Sequence, residues 1–402
     1  MSFAGSFHSQ CRPFQLSGRF AQHAPLVRTY NEKSHVWKGE VAHVKYPKDA
    51  KMWSLTRKRG TLIVPMLHTS LCALLNIELP IIQAPMGGVA TPALAAAVSN
   101  AGGLGMLPLT WHSLEQVRRA IRQTRQLTDR PFGVNLILQW PQQERLEVCL
   151  EEGVPVVSFF WGDPSLYVAA AHTAGSLVMH TVGSALEARR VRDAGVDILV
   201  AQGWEAGGHV WGQVATLPLV PCVVDAVAPT PVVAAGGIAD GRGLAAVLAL
   251  GAAGAWMGTR FVASQEANAH PLYKEQVLQA AETATTYSCL FDDDWPDAPH
   301  RTLHNSTLTN WQANGSPPRG ERPGEGVVVA TWADGSPVRR YSATSPKPGM
   351  TGEVEALALY AGQSVGLVSR LQSAHDIVKD VADEAIRTLQ QCVQLLPKDN
   401  TS

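Results

Sequence analysis

No run in this 402-residue chain reaches the ~18 consecutive apolar residues of a membrane helix, so the sequence predicts a soluble protein with no membrane partner. An excess of one charge is also missing. With 33 basic against 34 acidic side chains, nothing draws the whole molecule to nucleic acid or anionic lipid. The six cysteines (Cys11, Cys72, Cys149, Cys222, Cys289, Cys392) are scattered without a CxxC pair. That spacing argues against a metal site or a disulfide framework and fits a reducing, cytoplasmic setting. No GxGxxG turn follows the first strand candidate, which speaks against an open Rossmann sheet.

Glycine (35) and proline (26) are plentiful, slightly above the ~12% of ordinary usage, and gather in short motifs that suggest tight turns and close backbone approaches. The first 65 residues stand apart, with eleven Lys or Arg and three acids. They read as a basic, poorly ordered extension with Met66 as an alternative start, a transit peptide being the lesser reading.

From residue 66 to about 270 short apolar runs alternate with helical stretches. The strand candidates are 81–84, 103–107, 132–136, 154–159, 176–180, 198–201, 231–235 and 253–257; helices are expected at 91–101, 113–126, 144–152, 184–194 and 241–250. Most of these helices open on a capping residue and close on glycine. Strands that are apolar on both faces, in strict alternation with helices, predict a parallel sheet, and eight such units match a closed (β/α)₈ TIM barrel. Residues 271–349 read as a loop-rich excursion with a small hairpin near 327–332. Residues 350–402 should return to the barrel, ending in an amphipathic helix over 374–395 with Ile377, Val381, Ile386, Leu389, Val393 and Leu396 on one face.

Chemistry in such a barrel sits just after the strands. Gly236 and Gly237 follow strand seven, and Gly258 and Thr259 follow strand eight. Backbone N–H groups at these two neighbouring loops, aided by a helix N-terminus, can cradle a phosphate, although a glycine pair also makes a plain tight turn. After strand six comes Gln202, placed for a planar ring edge, then Gly207-Gly208 and His209. Strand five ends at His180. A histidine at the mouth beside Phe159, Phe160 and Trp161 is a candidate general base, or else a core histidine bonded to backbone. Asn135 ends strand three and Ala84-Pro85-Met86 ends strand one; each suits contact with a flat heterocycle, or a purely structural turn.

In order, the segments IIQAPMGGVATPALAAAVSNAGGLG, GVNL, VVSFFWGDP, VMHTVGSALEARRVRDAGVD, AQGWEAGGHVWG, AAGGIADGRGLAAVLALGAAGAWMGTRF and LALYAGQSVGL resemble the nitronate monooxygenases, formerly 2-nitropropane dioxygenases. The resemblance runs over about four-fifths of the chain. It departs at Ile137, where some members carry Thr, and at residues 1–65. It implies an FMN-dependent oxidoreductase that takes a small nitronate or nitroalkane and O₂ to a carbonyl compound and nitrite. It further implies main-chain flavin contacts at Ala84, Pro85 and Met86, ring bonds from Asn135 and Gln202, and a grip on ring edge and phosphate by Gly207, Gly237, Gly258 and Thr259. His180 aligns with the usual base and His209 with the histidine of the EAGGH loop. Tyr360 and Gln363 would close the pocket. Two readings stay open beside it: an FMN-dependent NAD(P)H enoyl reductase on the same barrel, and a flavin-binding protein without turnover. The sequence does not distinguish a monomer from a homo-oligomer.

Overall fold

The computed structural model describes residues 67–396, all within one compact unit. The basic extension expected over 1–65 lies outside the described residues. Eight parallel strands form the centre: β1 (Ile81–Gln83), β2 (Gly105–Pro108), β3 (Phe132–Ile137), β4 (Val156–Phe160), β5 (Leu177–Val182), β6 (Ile198–Gln202), β7 (Val232–Ala235) and β8 (Gly254–Met257). Each pairs with its sequence neighbour, β8 pairs with β1, and a parallel bridge between Ile82 and Leu104 joins β1 to β2. The sheet is thereby closed, and the eight-stranded barrel expected from the alternation is the observed fold.

Alternation along the strands builds two apolar layers. Ile82, Met106, Val156, Met179, Val200 and Val233 fill the lumen, and Leu71, Cys72 and Leu75 of the short helix Ser70–Leu75 join the same layer. The opposite face of the strands, with Val134, Val157, Val178, Leu199 and Ala234, packs against the surrounding helices. Those helices begin where the sequence offers a cap. Thr91, Ser184 and Asp240 each accept a backbone N–H three residues on, and Ser113 forms a reciprocal capping box with Gln116. Helices Ser165–Thr173 and Thr216–Val227 complete the alternation.

The C-terminal helix Ala374–Gln394 packs between the helices Gly241–Ala249 and Pro92–Asn100, taking the eighth place in the outer ring. Its buried stripe includes Ile377 and Val381, with Ile386 and Leu389 partly covered, but Val393 and Leu396 are exposed. The apolar face expected there therefore extends past what the barrel wall covers. The excursion is more ordered than its composition suggests. Strands β9 (Thr285–Ser288) and β10 (His300–Leu303) pair with each other, and β11 (Val328–Thr331) pairs with β12 (Pro337–Arg339) near the expected hairpin. Among the described cysteines, Cys72, Cys149, Cys222 and Cys392 are free thiols, whereas Cys289 is disulfide-bonded, a cross-link the scattered spacing did not suggest. No helix among the described residues is long and apolar enough to cross a membrane.

Candidate active site

The carboxyl ends of the strands open into a cavity of about 660 Å³, within the range of small-molecule and cofactor sites. Its floor and one side come from Ala84, Pro85 and Met86 after β1, Asn135 in β3, Gln202 in β6, and the loops after β7 and β8. Gly236 and Gly237 carry φ of 94° and 71°, the left-handed region where glycine avoids a Cβ clash. The N–H groups of Gly236, Gly237, Gly258 and Thr259 donate to no other described residue, and all four residues line the cavity. Four free donors on adjacent loops lining one cavity suit an anionic group such as a phosphate. The expected help from the following helix is not available at Gly241, whose N–H is taken by the Glu384 carboxylate, while Asp240 caps Gly243. The cradle rests on the loop amides.

Asn135 donates from Nδ2 to the carbonyl and hydroxyl oxygens of Ser158, both at 3.3 Å, and its Oδ1 accepts no bond from a described residue. That oxygen can accept from a ring N–H. Gln202 behaves differently from the ring-binding expectation: its Nε2 donates to the His209 carbonyl at 3.1 Å and its Oε1 accepts from Trp211 N–H at 2.9 Å. Its amide fastens the Gly203–Trp211 loop across its base.

That loop is braced from several sides. Gly208 and His209 pair antiparallel with Arg301 and His300 of β10. The Arg301 guanidinium, almost fully buried, donates to the Trp204 carbonyl at 3.0 Å and lies 4.5 Å from the Trp204 ring centroid. Gly207 touches the backbone of Ala361 and Gly362 so closely that a Cβ would overlap it. His209 is thereby held on a rigid support and lines the cavity, stacked on Trp295 with ring centroids 4.1 Å apart. Its Nε2 is buried without a hydrogen-bond partner. Burial, together with the neighbouring His300, holds the imidazole well below the ordinary histidine range. It is neutral at pH 7 and competent to take a proton. His300 is itself fixed as a neutral ring: Nδ1 meets the Ala298 carbonyl at 2.9 Å and so carries the hydrogen, and Nε2 accepts from Phe291 N–H. Burial lowers it to about 4.

The two histidines expected together at the mouth are separated. On β5, Met179 faces the lumen and Thr181 lines the cavity, so His180 between them turns to the helix-facing side and is absent from the lining. Burial lowers it to about 4 against an opposing pull from Asp163. Phe159 likewise faces outward, Phe160 lines the cavity, and Trp161 backs Trp295 and Trp211 at centroid distances of 5.0 and 4.6 Å. Trp161 has φ of 62°, unusual for a bulky side chain.

In the C-terminal segment Tyr360 lines the cavity, and its hydroxyl donates to the Ala343 carbonyl at 3.0 Å. Gln363 instead has an exposed side chain, and Gly362 and Ser364 line the cavity on either side of it. Gly362 N–H donates to Thr259 Oγ1 at 3.0 Å, tying this strap to the cradle.

Other lining residues went unread in the sequence: Trp111, Trp140, Tyr273, Asp294, Trp295 and Lys347. Lys347 Nζ donates to Gly87 O at 3.0 Å and Ser345 Oγ at 2.6 Å, pairs with no carboxylate among the described residues, and is lowered by burial to about 7. A signal did exist for the tryptophans. They recur just after strands two, three, four and six and in the acidic DDDW run of the excursion.

A sequence model of the nitronate monooxygenase family matches residues 68–144 and 138–384. A nitronate monooxygenase of Paraburkholderia phytofirmans is 34% identical, over 81% of this chain and 97% of the relative. A Mycobacterium tuberculosis protein named (3aS,4S,5R,7aS)-5-hydroxy-7a-methyl-1-oxo-octahydro-1H-indene-4-carboxyl-CoA dehydrogenase is 36% identical over 82% of this chain and 99% of its own. Among solved structures, FabK from Thermotoga maritima aligns with a TM-score of 0.69 at 37% identity, covering 82% of this chain and 99% of that one. The nitroalkane oxidase of Streptomyces ansochromogenes aligns at 0.67 and 31%, covering 80% and 99%. With the closed barrel, the paired glycine loops and the EAGGH histidine all in place, the chain belongs to the nitronate monooxygenase family of oxidoreductases.

Proposed function

We propose that this chain is an FMN-dependent, cytoplasmic monooxygenase that converts alkyl nitronates, and nitroalkanes after loss of an α-proton, with O₂ to carbonyl compounds and nitrite. The observation that carries the reading is His209: a neutral, braced imidazole with an unpartnered ring nitrogen, lining the same cavity as four unpaired backbone donors. The site fits FMN. Gly236, Gly237, Gly258 and Thr259 would hold its phosphate, Asn135 Oδ1 a ring N–H, and Ala84 to Met86 a ring face. FMN, when bound, supplies the acceptor for substrate electrons and the route to O₂.

The remaining work falls to the chain's own residues. His209 takes the α-proton of a nitroalkane: burial keeps the ring neutral and free to accept, and the anion formed beside it offsets the charge that burial makes costly. Gln202 keeps the His209 backbone in place through that transfer. Lys347 offers positive charge to the nitronate. Trp295 and Trp161 exclude water from the imidazole.

A second reading is favoured by one observation: Trp111, Trp140, Trp295 and Trp332 line the cavity and give it an aromatic space. An FMN-dependent NAD(P)H reductase or an acyl-CoA dehydrogenase would use that space. The deciding experiment saturates the purified protein with FMN and follows O₂ and nitrite on addition of propionate 3-nitronate. Fast O₂ uptake with matching nitrite is expected. No uptake, with rapid flavin bleaching by NAD(P)H, refutes the proposal in favour of the reductase.

A further inference from the structure

One side of the cavity mouth is a wall of indoles. Trp111 follows β2, Trp140 follows β3, and Trp295 comes from the excursion, yet their ring centroids lie 5.8, 6.4 and 5.1 Å apart. The rings are inclined to one another by 60–67°, edge to face, which joins them into one aromatic wall. Trp295 has one face against His209, and Trp111 is 55% exposed at the rim although it lines the cavity. Three distant pieces of chain thus present indole to one space.

The wall has a cation at its edge. A Cβ built on Gly87 would reach van der Waals contact with the Trp111 ring, and the Gly87 carbonyl is what Lys347 Nζ holds. Lys347 is buried with no carboxylate partner among the described residues, so a negative group entering the cavity would offset a desolvated charge. In the closed strand order β1 alone separates β8, which carries one of the cradle loops, from β2, which carries Trp111.

We infer that the substrate carries a flat hydrocarbon ring system that stacks on the open face of Trp111 with its edge toward Trp140, and its anionic head toward Lys347. The inference rests on the oxidoreductase reading of this cavity and names the substrate class for it.

The test uses the FMN-loaded protein and two anionic probes of similar carbon count, 2-naphthoate with rings and decanoate without. Binding is titrated by calorimetry and by the change in flavin absorbance. 2-Naphthoate should bind roughly tenfold more tightly, and Trp111→Ala should remove about that factor for naphthoate only, with Trp111→Phe restoring most of it. Because Trp111 is largely exposed, its replacement leaves the fold intact. Equal affinity for the two probes, or naphthoate binding indifferent to Trp111→Ala, overturns the inference. The readout needs no turnover. Ring-selective binding without nitronate oxidation keeps this inference and removes the monooxygenase reading; nitronate oxidation with ring-indifferent binding does the reverse.

Discussion

Two adjacent glycines offer a sharp test of how the site is held. At Gly207 a built Cβ would lie 2.5 Å from the Ala361 carbonyl carbon and closer still to the Gly362 nitrogen, where ordinary contact begins near 3.4 Å. Both neighbours are backbone, so the strap 360–364 has to recede by about 1 Å, an overpacking strain of roughly 1–3 kcal/mol. That movement stretches the 3.0 Å bonds from Gly362 N–H to Thr259 Oγ1 and from Gln363 N–H to the Glu205 carbonyl. Each is worth about 1 kcal/mol. Gly207→Ala should therefore cost about 3 kcal/mol and lower Tm by roughly 6 °C. Because the strap carries Tyr360, Gly362 and Ser364 on the cavity side, FMN should also bind about tenfold more weakly, roughly 1.4 kcal/mol. Gly208→Ala is the control. Gly208 has φ of 73° with nothing within 4 Å of a Cβ, so only backbone strain of about 1 kcal/mol applies. Differential scanning fluorimetry and flavin-fluorescence titration measure both effects. Equal Tm losses in the two variants, or unaltered FMN affinity in Gly207→Ala, would refute the reasoning that this contact positions the strap.

Two further expectations concern charge and protons. His209→Ala should reduce turnover of neutral nitroalkanes by about 10²–10⁴ while sparing preformed nitronates, whereas His180→Ala should leave the ratio of the two unchanged; a selective nitroalkane defect in His180→Ala would return the base to β5. Lys347 titrates near 7 folded against 10.5 when unfolded, so between those values the unfolded chain holds the extra proton and stability rises with pH. Lys347→Met should reduce that slope by about one proton in denaturant titrations from pH 7 to 10, and an unchanged slope would show the ammonium to be solvated.

Much of the fold was legible because it is written in local signals. The apolar runs, the caps at Thr91, Ser113, Ser184 and Asp240, and the glycines closing most of the helices give the alternation that a parallel barrel absorbs. The cradle was legible for a related reason: two glycine loops at adjacent strands leave backbone donors free whatever the side chains do. Strand facing was not. Every β5 residue from Val178 to Val182 is buried, so no polar face marks which parity looks inward, and His180 reads as well at the mouth as behind it.

The sequence by itself determined the order of elements, the barrel, and the glycine loops and EAGGH histidine that line its cavity, since each depends on residues close together in the chain. Tertiary structure decided the rest. It turned His180 outward, spent the Gln202 amide on its own loop, and exchanged Gln363 for Ser364 at the cavity wall. It also gathered Trp111, Trp140, Trp295 and Lys347, separated by up to 236 positions, around one space. Contacts between distant segments depend on how whole layers pack, and no local pattern of residue types encodes that.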